Sequence, residues 1–133
     1  IWKFEERTGD WKVYPTHGLG EEVSLIYADR YGRIWFADGA AHLALYDKRS
    51  DRWTAYNLEF EDAVVEAIYV DKQGRVIIGA ELGIIILDEK TKKLQLSPVR
   101  VGGKLMSGIS AITEDNQGRI WMGSPDGILV LKE

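Results

Sequence analysis

The side chains best suited to chemistry in this chain are two histidines and a set of acidic residues in loops. His42 closes the run Asp38-Gly39-Ala40-Ala41-His42, and His17 stands in a Gly-rich turn ahead of Glu21 and Glu22. An imidazole near carboxylates can hold a metal or transfer a proton. No paired spacing such as His-x-x-x-His supports a metal, so none is expected, and no pattern calls for a cofactor. Cys is absent, which removes thiolate nucleophiles, disulfides and Cys-based metal sites together. The Asp-x-x-Gly segments at Asp29, Asp71 and Asp115 invite a calcium reading, but a calcium loop needs several oxygen donors at fixed spacing and a closing Glu. Asp29 and Asp71 have neither, so a hairpin turn is the better account. Trp35 and Trp121 could stack sugars, yet their recurrence at equivalent places argues for packing. No Gly-rich phosphate loop, nucleophile elbow or acid/base pair at a defined spacing appears, and no catalytic residue is assigned.

What must position these residues is a repeat. Asp29-Arg30-Tyr31-Gly32-Arg33-Ile34-Trp35 returns as Asp71-Lys72-Gln73-Gly74-Arg75-Val76-Ile77, then as Asp115-Asn116-Gln117-Gly118-Arg119-Ile120-Trp121. Upstream of each Asp, Ile26, Ile68 and Ile112 fall in register and are expected at equivalent buried positions. Downstream, Leu43 to Asp47 matches Ile84 to Asp88 and Ile128 to Lys132, and Trp11 to Tyr14 matches Trp53 to Tyr56. Each unit reads as four short strands, A to D, rich in Ile, Val, Trp and Tyr and divided by turn signals. In the first unit these are roughly 23–28, 33–37, 43–47 and 53–57. At the A–B turn the Asp can accept amide hydrogens two or three residues on, and Gly32, Gly74 and Gly118 are expected to take positive φ. Four antiparallel strands per repeat of this length make the blade of a β-propeller.

The pattern resembles the two-component-regulator propeller repeat, in which hydrophobic-x-x-Ile-x-x-Asp-x-x-Gly-x-hydrophobic-Trp-hydrophobic-Gly precedes a Gly-led C strand. Residues 109–132 match best, with Gly123 and Gly127 both in place. The second unit keeps Gly79 and Gly83 but has Ile77 for Trp; the first has Ala37 and His42 where the glycines belong, in a loop one residue longer. His tolerates φ > 0 better than most residues, so a loop variant is the plain expectation for His42. The chain is therefore expected to be all-β, a single propeller segment over residues 1–133 forming about three blades of a partial ring. Residues 1–22 end a preceding blade and its exit loop, 23–64 and 65–108 are blades, and 109–133 are an incomplete blade. The strand count is thirteen.

The resemblance implies a non-enzymatic ligand-binding or interaction module of an extracytoplasmic (periplasmic) bacterial sensor in a two-component system. A small-molecule or glycan ligand and further blades, from the same protein or other chains, are the implied partners. An enzyme similar to the streptogramin-lyase propellers is the second reading, and a self-assembling propeller completed by oligomerisation the third. Loops carry function more often than scaffolds do, and here the A–B turns repeat while the B–C loops vary. Asp38, His42, Glu81 and Asp126, with His17 and Glu61 from the D–A loops, are the candidate ligand-binding residues. Lys and Arg number 17 against 21 Asp and Glu, a net charge of −4 without a basic block, which argues against nucleic acid. The longest apolar run, Ile84 to Leu87, is far short of the roughly 20 residues of a membrane span. The opening Ile1-Trp2-Lys3-Phe4 shows no signal-peptide pattern and reads as a cut or processing point.

Overall fold

The computed structural model describes residues 1–15, 18–20, 22–60 and 63–131, and every regular element in them is a strand. β1 (Trp2–Glu5) and β2 (Asp10–Val13) pair as an antiparallel hairpin. β3 (Val23–Ala28), β4 (Ile34–Asp38), β5 (His42–Asp47) and β6 (Arg52–Asn57) form a four-stranded antiparallel sheet in sequence order. β7 (Val65–Val70), β8 (Val76–Ala80), β9 (Gly83–Asp88) and β10 (Lys93–Ser97) repeat it. After a short hairpin of β11 (Val99–Val101) and β12 (Lys104–Met106), the three strands β13 (Ala111–Glu114), β14 (Ile120–Ser124) and β15 (Gly127–Leu131) begin the pattern again. The described residues therefore hold fifteen strands and not thirteen. The hairpin β11–β12 turns on Gly102 and Gly103, both at positive φ (59° and 82°), as a two-residue hairpin whose twist matches its strands requires.

Alternation along the strands gives each sheet two apolar faces, and the sheets stack face to face. Trp35, Leu43 and Leu45 of the first sheet meet Ile68, Ile78 and Ile85 of the second in the largest core. The other face of the second sheet, through Ile77 and Ile84, packs on Ile120 and Met122 of the third. Phe36 and Ala44 turn the opposite face of the first sheet toward Ile1 and Leu19. These are propeller blades laid side by side, as the repeat predicts.

The glycines at the A–B turns adopt the expected conformation: φ is 78° at Gly32, 82° at Gly74 and 79° at Gly118. The expectation for the three isoleucines needs correction. Ile68 is 5% exposed and Ile112 half-buried, but Ile26 is 65% exposed. Each projects toward the blade before it, since Ile26, Ile68 and Ile112 lie opposite Phe36, Ile78 and Met122. In front of the first blade stand only β1 and β2, the counterparts of strands C and D. No A or B strand is present among the described residues to cover Ile26.

Candidate functional site

The B–C loop of the first blade, between β4 and β5, carries the one close pairing of candidate residues among those described. Asp38 ends β4 with only 3% of its surface exposed. Its Oδ1 accepts from the amides of Ala40 at 2.9 Å and His42 at 3.3 Å. Its Oδ2 accepts from the Gly20 amide at 2.8 Å and meets His42 Nδ1 at 2.7 Å. Burial acts to raise the Asp38 pKa, but the Gly20 and Ala40 amides and the His42 side chain outweigh it, and the net shift is downward. An ionised carboxylate can only accept, so the Nδ1 of His42 must carry the hydrogen. That leaves Nε2 as the open nitrogen of a side chain that is 39% exposed. A carboxylate that fixes the tautomer and aim of an imidazole is the arrangement of a general base, and equally of a rigid hydrogen-bonding post. No hydroxyl bonds to Nε2 among the described residues, so no nucleophile stands ready beside it.

His42 does not take the glycine's conformation. Its counterparts Gly83 and Gly127 have φ of 125° and 135°, whereas His42 is not among the non-glycine residues at positive φ. The longer loop relieves the need, because Asp38 receives the amides of Ala40 and His42 and shapes the turn itself. The imidazole is thus held by a specific partner and is not merely tolerated by the backbone. Gly20 completes the arrangement, since a Cβ there would stand 3.2 Å from the Asp38 carboxylate oxygen. Its part was not read from the sequence. The Asp-x-x-x-His spacing across a hairpin loop was the available signal for the pair itself.

The other candidates sit apart from this pair. Glu81, exposed, lies on the B–C loop of the second blade, and its carbonyl accepts from Gly108 at 3.1 Å. Asp126, on the third, pairs with Lys104 of the β11–β12 hairpin at 3.1 Å. No hydrogen bond or ion pair joins either to Asp38 or His42 among the described residues. His17 and Glu61 lie outside the described residues. No group of three or more His, Cys, Asp or Glu side chains in the described residues is placed to hold a metal ion.

The Asp-x-x-Gly turns on the opposite face are knots of structure. The Asp29 Oδ1 accepts from the amides of Tyr31 and Arg33, both at 2.9 Å. Its Oδ2 takes Arg33 Nε at 2.8 Å and Trp35 Nε1 at 3.0 Å. The Asp115 knot is the same, with Gln117, Arg119 and Trp121 as donors. The side chain thus serves amides two and four residues on, while the amide three residues on bonds the Asp carbonyl. Both carboxylate oxygens of Asp29 and of Asp115 are thus met by donors of this chain, the geometry of a hairpin turn.

Stacked four-stranded blades define a β-propeller arc. The family model described as "Two component regulator propeller" matches residues 106–126, so the chain carries that repeat. Solved structures agree on the fold. The extracellular domain of BT4673 from B. thetaiotaomicron, assigned as a one component system, superposes with a TM-score of 0.76 at 17% identity, covering 99% of this chain and 19% of that one. The extracellular domain of BT3049 from B. thetaiotaomicron, assigned as a hybrid two component system, gives 0.72 at 16%, covering 98% and 17%. A streptogramin B lyase gives 0.70 at 17%, covering 98% and 47%. The chain thus spans less than a fifth of the two signalling domains and about half of the lyase. No curated protein sequence matches it. No helix of the described residues is long and apolar enough to cross a membrane.

Proposed function

We propose that this chain is a non-enzymatic part of an extracytoplasmic bacterial sensor, and that its ligand binds on the face formed by the B–C and D–A loops. The observation that carries this reading is the Asp38–His42 pair. Where the first blade has Asp38 and His42, the second has Ala80 and Gly83 and the third Ser124 and Gly127. A buried carboxylate here holds an exposed imidazole in one orientation, and the scaffold does not need it, because two blades of the same chain fold without it. The extracellular signalling domains with which the arc superposes support the sensor class. An open Nε2, with Glu81 on the neighbouring loop, suits a hydroxyl-rich small molecule or glycan through hydrogen bonds.

Isothermal titration calorimetry with a glycan panel tests the reading on the wild type, His42→Ala and Asp38→Asn. The expected result is saturable binding by the wild type, weakened about tenfold or more in both variants, with the ligand recovered intact. Binding that both variants retain would overturn the placement of the site. Ligand breakdown would instead overturn the non-enzymatic reading and favour the second one, an enzyme.

A further inference from the structure

Charge is divided between the two sides of the arc on which its strands end. The loop face carries the carboxylates of Asp38, Glu59, Glu81 and Asp126. On the opposite face lie the A–B and C–D turns. There the first blade presents Lys48, Arg49 and Arg52 around its C–D turn, and the second presents Lys90, Lys92 and Lys93. All six are exposed, and none is in an ion pair among the described residues. The carboxylates of the same turns have partners of their own. Asp47 accepts the Arg49 amide at 3.0 Å, Asp51 the Tyr46 hydroxyl at 2.8 Å and Asp88 the Lys90 amide at 3.0 Å. Glu89 is taken by the Arg33 guanidinium.

This exposure belongs to complete blades. The C–D turns stand at the ends of strands, away from the faces through which blades pack, so a neighbour on either side leaves them open. The second blade is packed on both faces, and its Lys90, Lys92 and Lys93 are exposed all the same. Tyr31, 45% exposed, lies between the two turns. With Arg49, Gly74, Asp47 and Glu89 it lines a hollow over the joint of the two blades. Chain order conceals the grouping, because Lys and Arg number 17 against 21 Asp and Glu and form no basic block. The repeat gathers them, by bringing successive C–D turns to one side.

We propose that the turn face docks on a bilayer surface rich in anionic lipid headgroups. The chain carries a net charge of −4, so such a surface repels it as a whole and attracts it only through this side. Each Lys or Arg brought to an anionic surface raises partitioning roughly fivefold, and six on one face act together. Their arrangement favours a membrane over a soluble polyanion. The cations sit on strand-end turns of two blades, and their long flexible stems can each meet a laterally mobile headgroup. Tyr31 adds an amphipathic ring of the kind that settles at a bilayer interface. The loop face stays open in this orientation, so the contact holds whether or not a ligand binds there.

Co-sedimentation tests the contact with vesicles of phosphatidylcholine alone and of phosphatidylcholine with about one-third phosphatidylglycerol. Circular dichroism confirms that each variant is folded. The wild type is expected to bind the anionic vesicles only, and to be released as salt is raised to about 0.5 M. Lys48→Glu/Arg49→Glu and Lys92→Glu/Lys93→Glu should each weaken binding about tenfold or more. Arg100→Glu/Lys104→Glu makes the same change of charge on the β11–β12 hairpin of the loop face, and should weaken it no more than about twofold. A wild type that does not bind anionic vesicles would overturn the proposal. An equal loss in the Arg100/Lys104 variant would overturn it too, by showing that net charge governs binding and not this face. Binding of dextran sulfate without binding of vesicles would replace the membrane by a soluble polyanion.

Discussion

Three aspartates, Asp29, Asp71 and Asp115, do the same work in successive blades, and they show how much of this fold rests on single carboxylates. Asp71 is fully buried, yet its oxygens are met by the amides of Gln73 and Arg75 and by Arg75 Nε at 2.6 Å. Burying a charge is costly unless each lone pair is satisfied, and here the next four residues supply the donors. Asp115 is held below the ordinary carboxylate range chiefly by Trp121 Nε1; burial, next in size, acts upward, and the amide and side chain of Arg119 add to the downward shift. At Asp29 burial is the largest influence and acts upward, but the Arg33 amide, Trp35 and the Arg33 side chain bring the net shift below the ordinary value. Asp38 shifts the same way. A carboxyl with a lower pKa folded than unfolded adds stability that is complete above the unfolded value, about 4, and is lost as pH falls through the folded one. The melting temperature is therefore expected to hold steady from about pH 7 to about pH 5 and to fall below about pH 4. Circular dichroism melts across that range check it, and a melting temperature that rose on acidification would contradict the assignment.

At the level of strands and turns, the A–B hairpin depends on one backbone conformation. Gly32 has φ of 78° with nothing near the position of a Cβ, so an added methyl would meet backbone strain and no steric clash. Gly39, in the B–C loop, is equally uncrowded and is not among the glycines at positive φ. Gly32→Ala is expected to cost about 1 kcal/mol, as a left-handed alanine does, whereas Gly39→Ala should be neutral or slightly stabilising. Urea titrations separate the two, and equal losses would mean that the hairpin does not depend on φ. This scale is also where the sequence spoke most clearly. Repetition of Asp-x-x-Gly-Arg and of the flanking apolar alternation located the strands of each blade, because a turn needs particular residues at fixed offsets. The β11–β12 hairpin escaped notice because it occurs once and has no counterpart in the other repeats, although Val-Gly-Gly-Lys is itself a turn signal. The Asp38–His42 contact was only half legible. The residues stood out as departures from the repeat, but whether the imidazole filled a left-handed position or met the carboxylate depended on how one extra loop residue redirected the chain. The exposure of Ile26 could not come from register at all, since burial there depends on what lies across from it.

On the scale of the whole arc, stability should be graded along the stack. The second blade has a neighbour on both faces: Val70, Val76, Ile78 and Ile85 are fully buried, and Ile77 and Ile84 on its other side nearly so. The first and third blades each pack fully on one face only. Their free sides show the difference, in Ile26 at 65% exposure and Ile128 at 77%. Arg33 adds a tie between the first two blades through Glu89, and Arg30 reaches from the first blade to Glu114 at the end of β13 at 3.1 Å. In such partly buried ion pairs the cost of desolvation offsets much of the attraction, so the gradient is set by apolar burial and only trimmed by charge. In a stack whose apolar contacts join only neighbouring units, the interior unit opens at close to the global free energy while the ends open locally. Hydrogen exchange on dilute protein is therefore expected to find the slowest amides in β7, β8 and β9. Those of β1, β2 and β15 should exchange orders of magnitude faster, at opening free energies of about 1–3 kcal/mol. Uniform protection along a dilute monomer would show that the arc folds as one cooperative unit in which the open faces cost nothing, and the graded account would fail.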